Sequence, residues 1–64
     1  MNGQDRKNIK TGLRVAIIQK HQQGTGELTQ GIVADILTNS VNHPRGIKVR
    51  LQSGEVGRVQ VIYR

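Results

Sequence analysis

Apolar and polar positions alternate with a period of two through much of this chain, the pattern of strands that bury one face and wet the other. Leu13, Val15 and Ile17 interleave with Arg14, Ala16 and Ile18, which predicts a first strand over 13–20. A second strand is predicted over 28–37, interrupted by Gly31, with Ile32 and Ile36 on one parity and Val33 and Leu37 on the other. A glycine near its start, with apolar residues on both faces, predicts a bulge or strong bend. Small barrels close through such bends. The stretch from Gly46 to Ile62 reads GIKVRLQSGEVGRVQVI, two alternating runs around Ser53-Gly54. It predicts strands at 46–52 and 56–63.

The register of that last hairpin follows from its side chains. With Ser53-Gly54 as a two-residue turn, Val49 would face Arg58 and Ile47 would face Gln60, setting apolar against polar along the ladder. Moving the register by one residue pairs Val49 with Val59 and Ile47 with Val61, which restores a single apolar face. The extra residue is absorbed by a three-residue turn, Ser53-Gly54-Glu55, or by a bulge at Gly57. This register sets Arg50 beside Arg58 on the solvent face and Lys48 beside Gln60. Like charges directly opposite on a sheet are destabilising, so their retention fits either a solvated face or a phosphate-binding one.

The connections carry turn chemistry: Thr11-Gly12, then His21 to Gly26 (HQQGTG), then Thr38 to Pro44 (TNSVNHP). Pro44 holds His43 extended. Residues 1–10 are polar and basic, with Ile9 the only apolar residue after Met1. They read as a basic N-terminal arm with one helical turn near Arg6–Ile9. The architecture expected is all-β: one domain over 11–64, a small SH3-like barrel of four to five short antiparallel strands.

Composition narrows the class further. At 64 residues the chain holds one domain, and a domain of this size buries only about 60% of the surface its unfolded chain exposes. Val and Ile dominate the apolar 34%, and eight Gly are spread through the chain, which favours short strands and tight turns. There is no Cys, so thiol chemistry and disulfides are excluded. No apolar run approaches the roughly 18 residues of a membrane span. The N-terminus lacks the apolar core of a signal peptide. A soluble, cytoplasmic protein is expected. The net charge is +6 and the pI near 11.0. The cations gather in two blocks, Arg6 to Lys20 and Arg45 to Arg64, around a centre holding only Glu27 and Asp35. That balance points to a polyanionic partner, most often nucleic acid.

Chemistry beyond charge finds few candidates. Gly24-Thr25-Gly26 lacks the following helix a phosphate-cradling loop needs. Two His and four scattered carboxylates do not make a metal site, and neither a cofactor nor a small-molecule substrate is expected. Ser40 and His43 lie three apart without a nearby carboxylate, so no catalytic pair is formed and no enzyme is expected. Tyr63 is the one aromatic residue. Base-stacking platforms, Pro-rich peptide grooves and methyl-lysine cages are all built from aromatics. Amphipathic membrane anchors are likewise missing. What remains is a charged face for phosphates, which favours backbone or shape recognition of structured RNA or duplex.

The strings ILTNS at 36–40, HPRGIKVRL at 43–51 and GEVGRV at 54–59 resemble the YwbE-like family of small uncharacterised proteins. Arg6, Ile9, Gly12, Val15 and the stretch TGELTQGIV at 25–33 fit as well, so the resemblance spans nearly the whole chain. It implies no activity, because that family has no known biochemical function. The order Gly12–Val15, Gly31–Ile36 and final hairpin is also similar to KOW and other SH3-like modules, several of which bind RNA or ribosomal partners. The longer second loop and the basic arm depart from that pattern.

The reading is therefore a nucleic-acid-binding module, for structured RNA or a ribonucleoprotein. Arg50 and Arg58 stand at its centre, Lys48, Arg45 and Arg64 flank them, and Arg14 is a further candidate. Asn39 and Ser40 supply loop donors, and His43 near Arg45 is a further anion contact. The alternative is a protein–protein module that pairs an open strand edge with an acidic partner or with a second copy.

Overall fold

A computed structural model describes residues 4–63 of the chain. Four strands, β1 (Arg14–Ile18), β2 (Thr29–Ile36), β3 (Lys48–Leu51) and β4 (Val56–Ile62), form a closed antiparallel barrel in the order β1-β2-β3-β4. Only two 3-10 turns, Arg6–Asn8 and Lys20–Gln22, add helical geometry among the described residues. The protein is all-β, and the architecture is compatible with a small SH3-like barrel.

Two strands close the barrel by changing partners along their length. β2 pairs first with β1, from Ile17↔Thr29 to Arg14↔Ile32, and then with β3, from Val33↔Leu51 to Ile36↔Val49. The register slips between Val33 and Asp35, so Ala34 is the extra residue. The bend expected in this strand is present, but Ala34 rather than Gly31 carries it. Gly31 makes room instead, because a Cβ there would lie 2.6 Å from Leu51 Cδ1. β4 behaves alike, with Val56 to Arg58 on β3 and Arg58 to Ile62 on β1. A second slip, between Ala16 and Ile17, leaves Gln60 unmatched. Past it the alternation inverts: Ile62 turns inward, and Val61 is 38% exposed.

The core consists of Val15, Ile17, Val33, Ile47, Val49, Leu51 and Val59, each at most 1% exposed, with Ile9 and Ile62 beside them. Ile9 arrives from the segment before the barrel, which is laced to the 38–44 loop. Arg6 N–H donates to Val41 O (2.8 Å), His43 N–H to Gln4 O (2.9 Å) and Arg6 Nε to Thr38 O (3.0 Å). These contacts hold the long loop and the N-terminal segment to each other.

The β3–β4 hairpin absorbs one residue, as the side-chain parity required, but in the opposite direction. Its loop is Gln52-Ser53-Gly54, closed by Leu51 N–H on Glu55 O (2.8 Å), with Gly54 at φ +104. A three-residue hairpin loop places its left-handed residue third, and only Gln52-Ser53-Gly54 puts a glycine there. The pairs are therefore Lys48↔Arg58, Val49↔Gly57 and Arg50↔Val56. Arg50 is not opposite Arg58, and Val61 is not opposite Ile47. Val59 takes that place, donating its N–H to Ile47 O (2.9 Å).

Candidate nucleic-acid interface

The like-charge pair on this sheet is Lys48 with Arg58, and it forms one wall of a groove. β4 lies close to β1 here because residue 57 is glycine. A Cβ at Gly57 would stand 2.5 Å from Ile18 O and 3.1 Å from Ile17 Cδ1. Ile18, Val56 and Gly57 thus line the groove together with Lys20, Gln23, Arg45, Lys48 and Arg58, enclosing about 390 Å³. An adjoining lobe of about 410 Å³ shares Ile18, Gln23, Arg45 and Arg58 and adds Gln60.

Local structure explains how three separate segments deliver cations to one place. β1 ends in the 3-10 turn carrying Lys20, which is held by a polar clasp. Gln22 Oε1 accepts from Gln19 N–H (3.1 Å) and Thr29 Oγ1 (3.0 Å), while Gln19 Nε2 donates to Thr29 Oγ1 (2.9 Å). Arg45 sits in a turn closed by Gly46 N–H on His43 O (3.0 Å), and its own N–H donates to His43 Nδ1 (3.1 Å). That turn rests on β4. Gly46 is buried at φ +101, and a Cβ there would run into Val59 O. Arg58 Nη1 donates to Gly46 O (3.1 Å), and Gln60 Nε2 donates to Arg45 O (3.0 Å). Both bonds tie the Arg45 turn to β4.

The predicted residues divide accordingly. Lys48, Arg58 and Arg45 come together in the groove. Arg50 does not join them, because the true register sets it beside Asp35 of β2, where Arg50 Nη1 and Asp35 Oδ2 form a 3.0 Å ion pair with both side chains about half exposed. Arg14 lies at the other end of β1, 5.8 Å over the Tyr63 ring and 3.4 Å from Gln30 Oε1. Asn39 and Ser40 are exposed on the long loop and line neither lobe. His43 shapes the Arg45 turn and lines a separate depression of about 190 Å³ with Gln4, Asp5, Asn42 and Pro44. Arg64 is outside the described residues.

Lys20 was missed by the sequence reading. Gln19 and Gln22 make the reciprocal bonds of a capping box, but Gln19 is not the Ser or Thr that marks such a box in a sequence, so the turn carrying Lys20 had no strong sequence signal.

Among the described residues no carboxylate lines either lobe. Asp35 is engaged with Arg50. Glu55 accepts a short hydrogen bond from Ser53 Oγ across the hairpin loop, which, with a backbone N–H, lowers its pKa from the ordinary carboxylate value. No cluster of three or more His, Asp or Glu occurs among the described residues, and no helix is long and apolar enough to cross a membrane.

Fold and groove together define a class: a small closed antiparallel β-barrel bearing a groove lined by cations and glutamines. Within it, the chain belongs to the family described as uncharacterized conserved protein (DUF2196), whose model matches residues 2–62. It is 58% identical over 62 residues to the uncharacterized protein YwbE of Bacillus subtilis (strain 168), covering 97% of this chain and 95% of that relative. The YwbE-like resemblance read from the sequence is thereby shown. No solved structure matches the chain.

Proposed function

We propose that this protein is a non-enzymatic module that binds nucleic acid, structured RNA in particular, by placing backbone phosphates in the groove between the Lys20 turn, the Arg45 turn and the β3–β4 face. One observation carries the reading. Lys20, Arg45, Lys48 and Arg58 converge from three segments on one groove that no carboxylate of the described residues lines. Such an arrangement costs stability through like-charge repulsion, particularly between Lys48 and Arg58. A polyanion relieves that cost. The chain's one aromatic, Tyr63, lies under Arg14 rather than in the groove, so phosphate contact rather than base stacking is the mode the side chains support.

The competing protein–protein reading needs an open strand edge. The two halves of β2 pair with different strands, β1 and then β3, and the converging cations favour the groove over the backbone edge that each half leaves on its other side.

Binding of a fluorescent RNA hairpin tests the proposal. With about four phosphates engaged, log K falls against log salt with a slope of about −3 to −3.6. Lys20→Gln with Lys48→Gln makes the slope shallower by about 1.4 to 1.8. Arg14→Gln with Arg50→Gln leaves it nearly unchanged. Absence of binding at about 50 mM salt, or equal effects from the two double variants, overturns the proposal.

A further inference from the structure

Gln60 occupies the one position of β4 that the β1 register skips, and it lines the second lobe of the groove beside Arg45 and Arg58. Its amide group is oriented. Nε2 lies 3.0 Å from Arg45 O and 3.3 Å from Arg58 O. Both partners are carbonyl oxygens, so the NH2 end must face them, and both of its hydrogens are committed. Oε1 is left as an acceptor that no donor among the described residues engages, on an exposed side chain between two arginines. Every other long polar side chain in that lobe except Gln23 is purely a donor. A phosphate ester offers Gln60 Oε1 nothing, since it too only accepts. The group one sugar away from a phosphate that donates a hydrogen bond is the ribose 2′-hydroxyl, and DNA lacks it.

We infer that Gln60 Oε1 accepts a hydrogen bond from a ribose 2′-hydroxyl while Arg45 and Arg58 hold the adjacent phosphate, so that the groove selects RNA over nucleic acids without a 2′ donor. This rests on the phosphate-groove reading and assigns its sugar specificity to one residue. Strand alternation turns Gln60 outward while Val59 stays in the core, and the bulge leaves Gln60 without a residue opposite it on β1.

The test uses one RNA hairpin and the same sequence with 2′-fluoro in place of every 2′-hydroxyl. That replacement keeps the A-form helix and its phosphates but cannot donate. The wild-type protein is expected to bind the natural hairpin about three- to tenfold more tightly, the worth of one hydrogen bond. In Gln60→Met the ratio falls to about one, with the salt slope kept. A purely structural role for Gln60 would weaken both ligands alike and preserve the ratio, which overturns the assignment. Equal wild-type binding of both hairpins, with the full salt slope, overturns it while the groove reading stands. Binding of neither overturns both. The comparison of ligands on wild-type protein holds even if the variant fails to fold.

Discussion

Gly57 shows how much of the groove depends on a single missing side chain. It pairs with Val49 on the core side of the sheet and presses against the Ile18 carbonyl. The two nearest atoms are main chain, which cannot swing aside as the end of the Ile17 side chain can. Gly57→Ala should therefore cost about 1–3 kcal/mol, the usual range for overpacking a tight interior. Gly24→Ala, where a Cβ meets nothing within 4 Å and φ is not positive, should stay within about 0.5 kcal/mol. Urea unfolding of the two variants makes the comparison, and equal stability would mean that β4 and β1 are not packed this closely. The sequence flagged Gly57 as a possible bulge. Its actual use was hidden, because a close approach between strands depends on a partner distant in the chain, here Ile17 and Ile18.

Among the elements, the β3–β4 hairpin divides the legible from the illegible most clearly. Parity alone required an odd adjustment to the two-residue turn, since apolar side chains had to share one face. Parity is blind to direction, however, and both directions satisfy it. The deciding fact was local: Gly54 is the residue that meets the left-handed position of a three-residue loop. The direction then decides which cation faces Arg58, so the candidate site changed from Arg50 to Lys48 although the fold did not. The Asp35–Arg50 pair was out of reach for a different reason, since it depends on where β2 slips past β3. The N-terminal segment makes the same point. Ile9 stood alone in a polar run, yet it is 3% exposed and joins the core. Its truncation in Ile9→Ala should cost about 2–5 kcal/mol, measured by denaturant midpoint. An effect near zero would mean that this segment does not complete the core.

At the scale of the whole molecule, a net charge of +6 says that a polyanion is attracted but not where it sits. The barrel sorts the cations into unlike groups. Arg50 is neutralised by Asp35, Arg14 lies over Tyr63, and Arg6 is spent on the Thr38 carbonyl. Lys20, Arg45, Lys48 and Arg58 gather around one groove, Arg58 while also holding the Gly46 carbonyl, and Lys7 and Lys10 stay exposed on the N-terminal segment. That sorting follows from strand register and turn geometry, which is why Lys48, Arg58 and the flanking Arg45 were legible in the sequence while Lys20 follows only from the folded connection. The measurement that addresses the central claim most directly is a backbone amide NMR titration with a short RNA hairpin at low salt. Perturbations are expected to concentrate in residues 18–23, 45–48 and 56–60, with those near Arg14, Tyr63 and Asp35 nearly still. Perturbations centred on those still regions, or none at all, would contradict that claim.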